Sequence, residues 1–487
     1  MKRVKISFIN AVHPKDKILI FIFLLICAMI YSFISIRSHE QFQTFGWDLG
    51  YFDQLIWKIS RGIYPFSTLS NVNLLAGHFA PILFLFAPLY WIWSDPKILL
   101  ISQAFLVVFA GWPLYLLSYF KTRNIFFSFT VVFSYIFFIG TQWTILNEFH
   151  ETAIVPLFLS LIFLGLEKNN KSILWIGIIG LLLVKEEFFL LMSSLGLMIY
   201  WHFKRKRLGL FLTIFSIVSF FFLTSYLMPA ISEKGVYQHE HLSDVAKNPK
   251  DFILKIFTDP LFAVRSLITP IEKVRTLVIS LLAFAILPIF APLAILLPLI
   301  EQFLVRFLYT GPQYTFWQNV NHHAAPAAML LPIASVYGVI ALRQRLNLSK
   351  RIFFIICPII LLMATLSQDI LLKAPIHSIF KKQFYENSQW INDNKKILIQ
   401  SRRIPTNIAI ATQNSMFPYL SQREKIYLLP EIKDADFIVV DLYDGPNKYA
   451  PLSYDEMKKF INKLIDDGQF EIIQQAGKAM LLKKLLK

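Results

Sequence analysis

Cysteine is nearly absent: Cys27 and Cys357 are the two in 487 residues, and both sit inside apolar runs. They read as small buried hydrophobes, which excludes a disulfide framework and a cysteine metal centre. Charge is scarce as well. Asp, Glu, Lys and Arg make up 16% of the chain, against about 25% in a soluble globular protein, while 56% is hydrophobic. That balance excludes a soluble protein and indicates a polytopic α-helical membrane protein. Acidic residues are the rarer sign, 31 against 48 basic, for a net charge of +17. The basic excess lies in short loops between apolar runs, the pattern of membrane topology and of contact with anionic lipid heads. No basic recognition module is present, so no nucleic-acid partner is expected. An internal repeat is also missing to the eye, which argues against a transporter built from inverted repeats.

What is abundant is apolar length. Ile18 to Ile36 is free of charge for 19 residues, enough to span a bilayer. It is too long for a typical signal-peptide core and is followed by many further spans. Further runs lie at about 98–120, 125–146, 152–166, 172–184, 187–203, 208–229, 276–306, 325–342 and 352–369. The segments Lys121/Arg123, Lys168/Lys171, Lys204 to Arg207 and Arg343 to Arg351 are the basic connections. Placing them inside, with Lys2, Arg3, Lys5, Lys15 and Lys17, makes the N-terminus cytoplasmic. The expectation is a multi-pass protein of the cell (inner or plasma) membrane. It has about eleven crossings, with 172–203 and 276–306 each split into two short spans. Phe79 to Trp93, with Pro81 and Pro88, reads as re-entrant or interfacial. Residues 1–370 form the transmembrane domain, with outer loops at 37–96 and 230–275. Composition shifts near 371. Short strands are expected at 407–411, 425–429 and 436–440 and a helix at 454–466, so 371–487 reads as a small extracytoplasmic α/β domain. It lacks a glycine-rich phosphate loop, which argues against nucleotide binding there.

Chemistry-bearing residues gather in the outer connections. Asp48 and Asp53 follow the first span; Gly46 and Gly50 flank Asp48 and suit a tight turn. A carboxylate held at a membrane face is kept for chemistry more readily than one in bulk water, although a solvated loop is the plain alternative. Asn147-Glu148-Phe149-His150-Glu151 falls at an outer edge and could bind a divalent cation or end a helix as a satisfied polar cap. It is not a zinc-protease HExxH, because Thr152 and Ala153 follow. Lys185-Glu186-Glu187 interrupts almost thirty apolar residues and should face a cavity. His239-Glu240-His241 reads as a surface loop. Arg306, Tyr309, Tyr314, Trp317, His322 and His323 form a polar, aromatic stretch able to hold a phosphate and a sugar ring or to line an aromatic belt.

Several of these segments carry a resemblance. FGWDLGYFDQLIW (45–57), GHFAPILFLFAPLY (77–90), NEFHETAIVPL (147–157), LLVKEEFFLL (182–191), NHHAAPAAMLLP (321–332) and IAIATQNSMFPYLSQREKIYLLP (408–430) resemble a family of prokaryotic polytopic membrane proteins of unknown function, over roughly residues 40–445. That family is in turn distantly similar to GT-C glycosyltransferases, such as protein O-mannosyltransferases and aminoarabinose transferases. The resemblance implies a GT-C-like fold and a polyprenyl-phosphate-linked sugar as donor. It also implies an essential acid in the first outer loop, which Asp48 matches by position. The expected activity is sugar transfer to an acceptor on the extracytoplasmic face, with Asp48 as general base. Asp53, Glu148, His150, Glu151, Lys185, Glu186, Arg306, His322 and His323 are the candidates for binding substrate, Lys185 and Arg306 as cations. A divalent cation is the one cofactor considered, and membrane lipids are the expected surroundings. Two other classes stay open: a transporter or flippase using the same charges, and an assembly factor whose outer domain binds a partner.

Overall fold

The computed structural model describes residues 14–237, 249–309, 314–346, 349–445 and 448–485. Its helices follow the apolar runs. Pro14–Glu40 is one 27-residue helix: Leu24, Ala28 and Tyr31 are buried on one side, and Ile18, Ile22, Ile26 and Phe33 are exposed on the other. That is the division expected of a helix with lipid on one face and protein on the other. Lys97–Thr122, Lys206–Ile231, His322–Leu346 and Lys350–Leu371 are likewise long and apolar enough to cross a membrane. Ile125–Phe137 and Ile139–Leu146 add a sixth span if their 52° bend is one broken crossing. Five or six spans among the described residues is therefore the count that length and composition support, not eleven.

The difference lies in short helices. Lys171–Leu182 and Phe188–Trp201 flank a break at Lys185, and Glu272–Ala283 and Leu293–Leu308 flank one at Pro288 and Pro292. Both breaks fall inside the runs expected to split. At the second, Ala285 and Ile286 adopt φ of +50° and +52°, left-handed values that end a helix. The segment Pro81–Ile92 is a short apolar stretch in two turns.

Ion pairs show which helix ends lie together. Lys97 Nζ is 2.9 Å from Glu40 Oε1, joining the end of the first long helix to the start of the second. At the other end, Lys121 Nζ lies 2.7 Å from Glu167 Oε1, Tyr337 Oη donates to the same oxygen, and Arg205 Nη2 donates to Asn169 Oδ1. The basic connections thus gather at one end of the bundle. The first loop and the C-terminal domain gather at the other, where Arg37 Nε donates to Phe384 O at 2.7 Å and His39 stacks on Tyr419.

That domain is a five-stranded sheet. After a small hairpin in the first loop, β1 (Phe66–Ser67) and β2 (Val72–Asn73), the sheet strands are β3 (Ile410–Thr412), β4 (Ile426–Leu428), β5 (Phe437–Asp441), β6 (Phe470–Ala476) and β7 (Ala479–Lys484). Their order is β4-β3-β5-β7-β6, with β3 parallel to β4 and β5, and β7 antiparallel to β5 and β6. Alternation sends Ile410, Val439 and Leu481 to the face packed with Ile397 and Leu398 of helix Gln389–Ser401. Ala411, Ile438 and Leu482 face Met457, Ile461 and Leu464 of helix Tyr454–Asp466, whose N-terminus carries a Ser453/Glu456 capping box.

Candidate functional site

Asp48 sits on a single π-helical turn, Gly46–Gly50, between the first long helix and helix Tyr51–Ser60. Two contacts fix that turn from opposite sides. Glu148 Oε2 accepts from the backbone N–H groups of Phe45 at 2.8 Å and Leu49 at 3.1 Å. Asn414, from the C-terminal domain, accepts from Gly46 N at 2.8 Å. The glycines are required here by proximity rather than by backbone angle. A Cβ on Gly46 would lie 3.0 Å from the Phe417 ring, and one on Gly50 2.6 Å from it. Burial first, and then the Asp48 charge, raise the Glu148 pKa well above the carboxylate range, with the two N–H donors pulling the other way. Glu148 itself is held at φ +53°, a sparsely populated conformation for a non-glycine residue.

Gln103 explains how that loop stays in place. Its buried amide donates to the carbonyls of Thr144, Ile145 and Glu148, and its Oε1 accepts from His150 N at 2.8 Å. His150 thereby comes to lie with Nε2 3.1 Å from Asp48 Oδ1. The distance is that of an ion pair, but the ring N–H is not aligned on the oxygen, and Nε2 has no hydrogen-bond partner. The His150 ring stacks on His322 with centroids 3.4 Å apart, and His322 contacts His323 at 4.1 Å. Asn147 Nδ2 donates to Asn321 Oδ1, tying the two loops together. Glu151 Oε2 and His322 Nδ1 are also buried without partners. Three orphaned polar atoms on neighbouring residues mark a place built for something besides the protein.

The turn at Lys185 completes the cluster. Lys185 Nζ lies 3.6 Å from Glu151 Oε1 and 3.8 Å from Glu187 Oε1. Burial alone would lower the Lys185 pKa, but Glu187, Glu151 and Glu186 together hold it above the ordinary lysine value. Burial raises Glu187, against the pull of Lys185. Glu186 accepts from Phe79 N at 2.9 Å and from Tyr237 Oη, and it meets His78 Nδ1 at 3.1 Å. His150, His323, Lys185 and His78 are all close enough to act electrostatically on His322. One polar site thus draws on seven separate stretches of chain, around Asp48, His78, Gln103, His150, Lys185, Tyr237 and His322.

Two expected site residues do other work. Asp53 is fully buried and accepts from Tyr90 Oη at 2.6 Å, Ser421 Oγ at 2.5 Å and Gln422 Nε2 at 3.1 Å. It fastens the first loop to the C-terminal domain. Arg306 is buried, and its Nε and Nη2 donate to the carbonyls of Phe316, Trp317 and Gln318 and to Asn319 Oδ1. Its Nη1 alone is unpartnered. His239, Glu240 and His241 lie outside the described residues. Among the described residues no group of three or more His, Cys, Asp or Glu side chains could hold a metal ion. Gln103, His78, Asn321 and Tyr237 belong to the site without having been expected. His78 had a signal, the break Gly77-His78 just before an apolar segment.

Burial pushes Asp53 up to about 7, with the three donors opposing the shift. A folded-state pKa above the unfolded value of about 4 makes its contribution to stability complete below pH ~4 and progressively lost as pH rises to about 7. Asp53→Asn does not titrate, and Ser421 can accept from its amide. Wild type should therefore lose thermal stability relative to Asp53→Asn between pH ~4 and ~7 and run parallel above. Parallel curves across the whole range would show that Asp53 is ionised in the folded protein.

A family model described as "Predicted membrane protein (DUF2079)" matches residues 38–480, and the chain belongs to that family. No curated protein matches it.

Proposed function

We propose that this member of the family is a membrane glycosyltransferase. It would move a sugar from a polyprenyl-phosphate donor to an acceptor on the extracytoplasmic face, with its N-terminus cytoplasmic and its C-terminal domain outside. On this reading the short broken helices also cross or dip into the membrane, bringing the count toward about eleven. The observation that carries the reading is the Asp48–His150 pair: a carboxylate with 35% of its side chain exposed, beside the buried orphan atoms of Glu151 and His322. A second supports it. An apolar cavity of about 400 Å³, walled by Ile82, Phe86, Phe105, Leu106, Ile154 and Leu157 on the stretches of chain that follow His78, Gln103 and Glu151, suits a prenyl tail.

In the proposed step the acceptor hydroxyl oxygen attacks the anomeric carbon and its proton passes to Asp48. The bond from that carbon to the phosphate oxygen breaks, and polyprenyl phosphate departs with the electron pair. Lys185 is engaged by Glu151 and Glu187, and Arg306 by carbonyls. The donor for the departing phosphate is therefore the imidazole of His322, whose buried Nδ1 has no partner. The buried Lys185–Glu151–Glu187 set at a helix break favours a second reading, passage of a lipid-linked substrate across the membrane.

Purified protein in proteoliposomes, given radiolabelled polyprenyl-phosphate sugar and cell-envelope acceptor, separates the two. Transfer predicts label leaving the lipid phase in a single turnover. Label that crosses the bilayer still attached to lipid supports passage instead, and label that does neither defeats both.

A further inference from the structure

A second cavity, of about 560 Å³, lies where the first loop meets the C-terminal domain. Trp57 and Arg61 of the loop, Asp95, and Arg402, Arg423 and Glu424 of the domain line it. It is separate from the Asp48–His150 pair. The one-turn helix Phe417–Leu420 turns Phe417 toward Gly46 and Gly50 and gives Tyr419 and Leu420 to the cavity.

Its charge is unbalanced in a telling way. Arg423 is 3% exposed, and its Nε and Nη1 donate to the backbone carbonyls of Leu420 and Ile408. Burial lowers its pKa to about 10, with no carboxylate offsetting the loss. Arg402 donates to Tyr419 O and lies over the Tyr419 ring. The lining thus sets three guanidiniums, Arg61, Arg402 and Arg423, against two carboxylates, Glu424 and Asp95, the latter accepting from Lys97 N at the start of a long helix. That leaves one positive charge in excess, with the buried Arg423 guanidinium held by carbonyls, which an anion in the cavity would balance.

Its depth is equally specific. Trp91, Ile92 and Trp93 are 68%, 82% and 42% exposed, and the next residues, Ser94 to Pro96, line the cavity. Lys97 then opens the span Lys97–Thr122. Trp91 Nε1 donates to Ser60 O, beside Arg61. Exposed tryptophans at the end of a span sit at headgroup level. We propose that this cavity holds the phosphodiester headgroup of an anionic phospholipid, clamping the C-terminal domain onto the membrane at the end of its spans.

The test uses the full chain in nanodiscs of neutral phosphatidylcholine, with and without phosphatidylglycerol. Wild type should gain thermal stability from the anionic lipid and retain it in native mass spectrometry. The double variant Arg61→Gln/Arg402→Gln, at two exposed positions, should bind it about tenfold more weakly, and Arg423→Gln should do so if it folds. The control Lys382→Gln/Lys433→Gln removes the same charge from exposed sites elsewhere and should bind like wild type. Equal retention by the Arg61/Arg402 variant, or equal loss in the control, overturns the proposal. Full stabilisation in neutral nanodiscs by inorganic phosphate or a soluble sugar phosphate also overturns it, since the site would then take a free anion.

Discussion

Asp48→Asn is expected to lower single-turnover release of labelled sugar by about 10²–10⁴-fold, the range for losing a positioned base, while leaving the thermal midpoint near wild type. The separation follows from how the turn is held. Among the described residues the Asp48 side chain makes no hydrogen bond: Glu148 and Asn414 fix the backbone of its turn, and Phe417 packs against its glycines. Its side chain lies against His150, where an amide oxygen keeps the contact at 3.1 Å without basicity, and removing its charge relieves the buried Glu148 carboxyl. Asp53→Asn changes a carboxylate only five residues away that is sealed against Tyr90, Ser421 and Gln422, so its effect falls on stability. Matching rates for Asp48→Asn and wild type would end the catalytic assignment.

That contrast shows what was legible in the sequence. Asp48, His150 and Lys185 stood out because charge beside long apolar runs is expensive, and the fold brings their stretches of chain together. Asp53 was read as a substrate-binding candidate because what holds it lies 37 and 368 positions away. Arg306 looked like a free cation for a similar reason. Its partners lie only 10 to 13 residues on, but they are backbone carbonyls and an amide that no side-chain pattern announces. Gln103 was invisible as one polar residue in an apolar helix. The parallel strands β3, β4 and β5 were readable from continuous burial, whereas β6 was not: Glu471, Gln474 and Gln475 on an edge strand leave little apolar pattern to find. Length and composition carry the span count only to five or six among the described residues, because hydropathy measures apolar length and the helices flanking Lys185 and Pro288 are too short for length to decide what they cross.

The largest stability effect is expected from Lys185→Met. Lys185 is the cation shared by Glu151 and Glu187 where two apolar helices meet. Its removal leaves the buried Glu151 carboxylate uncompensated, which typically costs about 3–5 kcal/mol, and the half-buried Glu187 without its cation. The loss should depend on pH with a definite sign. Burial already holds Glu187 above its ordinary pKa, and without Lys185 that shift grows. The folded variant then binds more protons than the unfolded chain, so its stability falls as pH rises through the raised pKa and recovers on acidification. Adding Glu151→Gln removes one orphaned charge and should restore part of the loss, a coupling that a double-mutant cycle of thermal midpoints measures. Donor affinity of the surviving folded protein should stay unchanged, because both near neighbours of the Lys185 ammonium are carboxylates. Near-normal stability with weakened donor binding would instead make Lys185 a phosphate ligand.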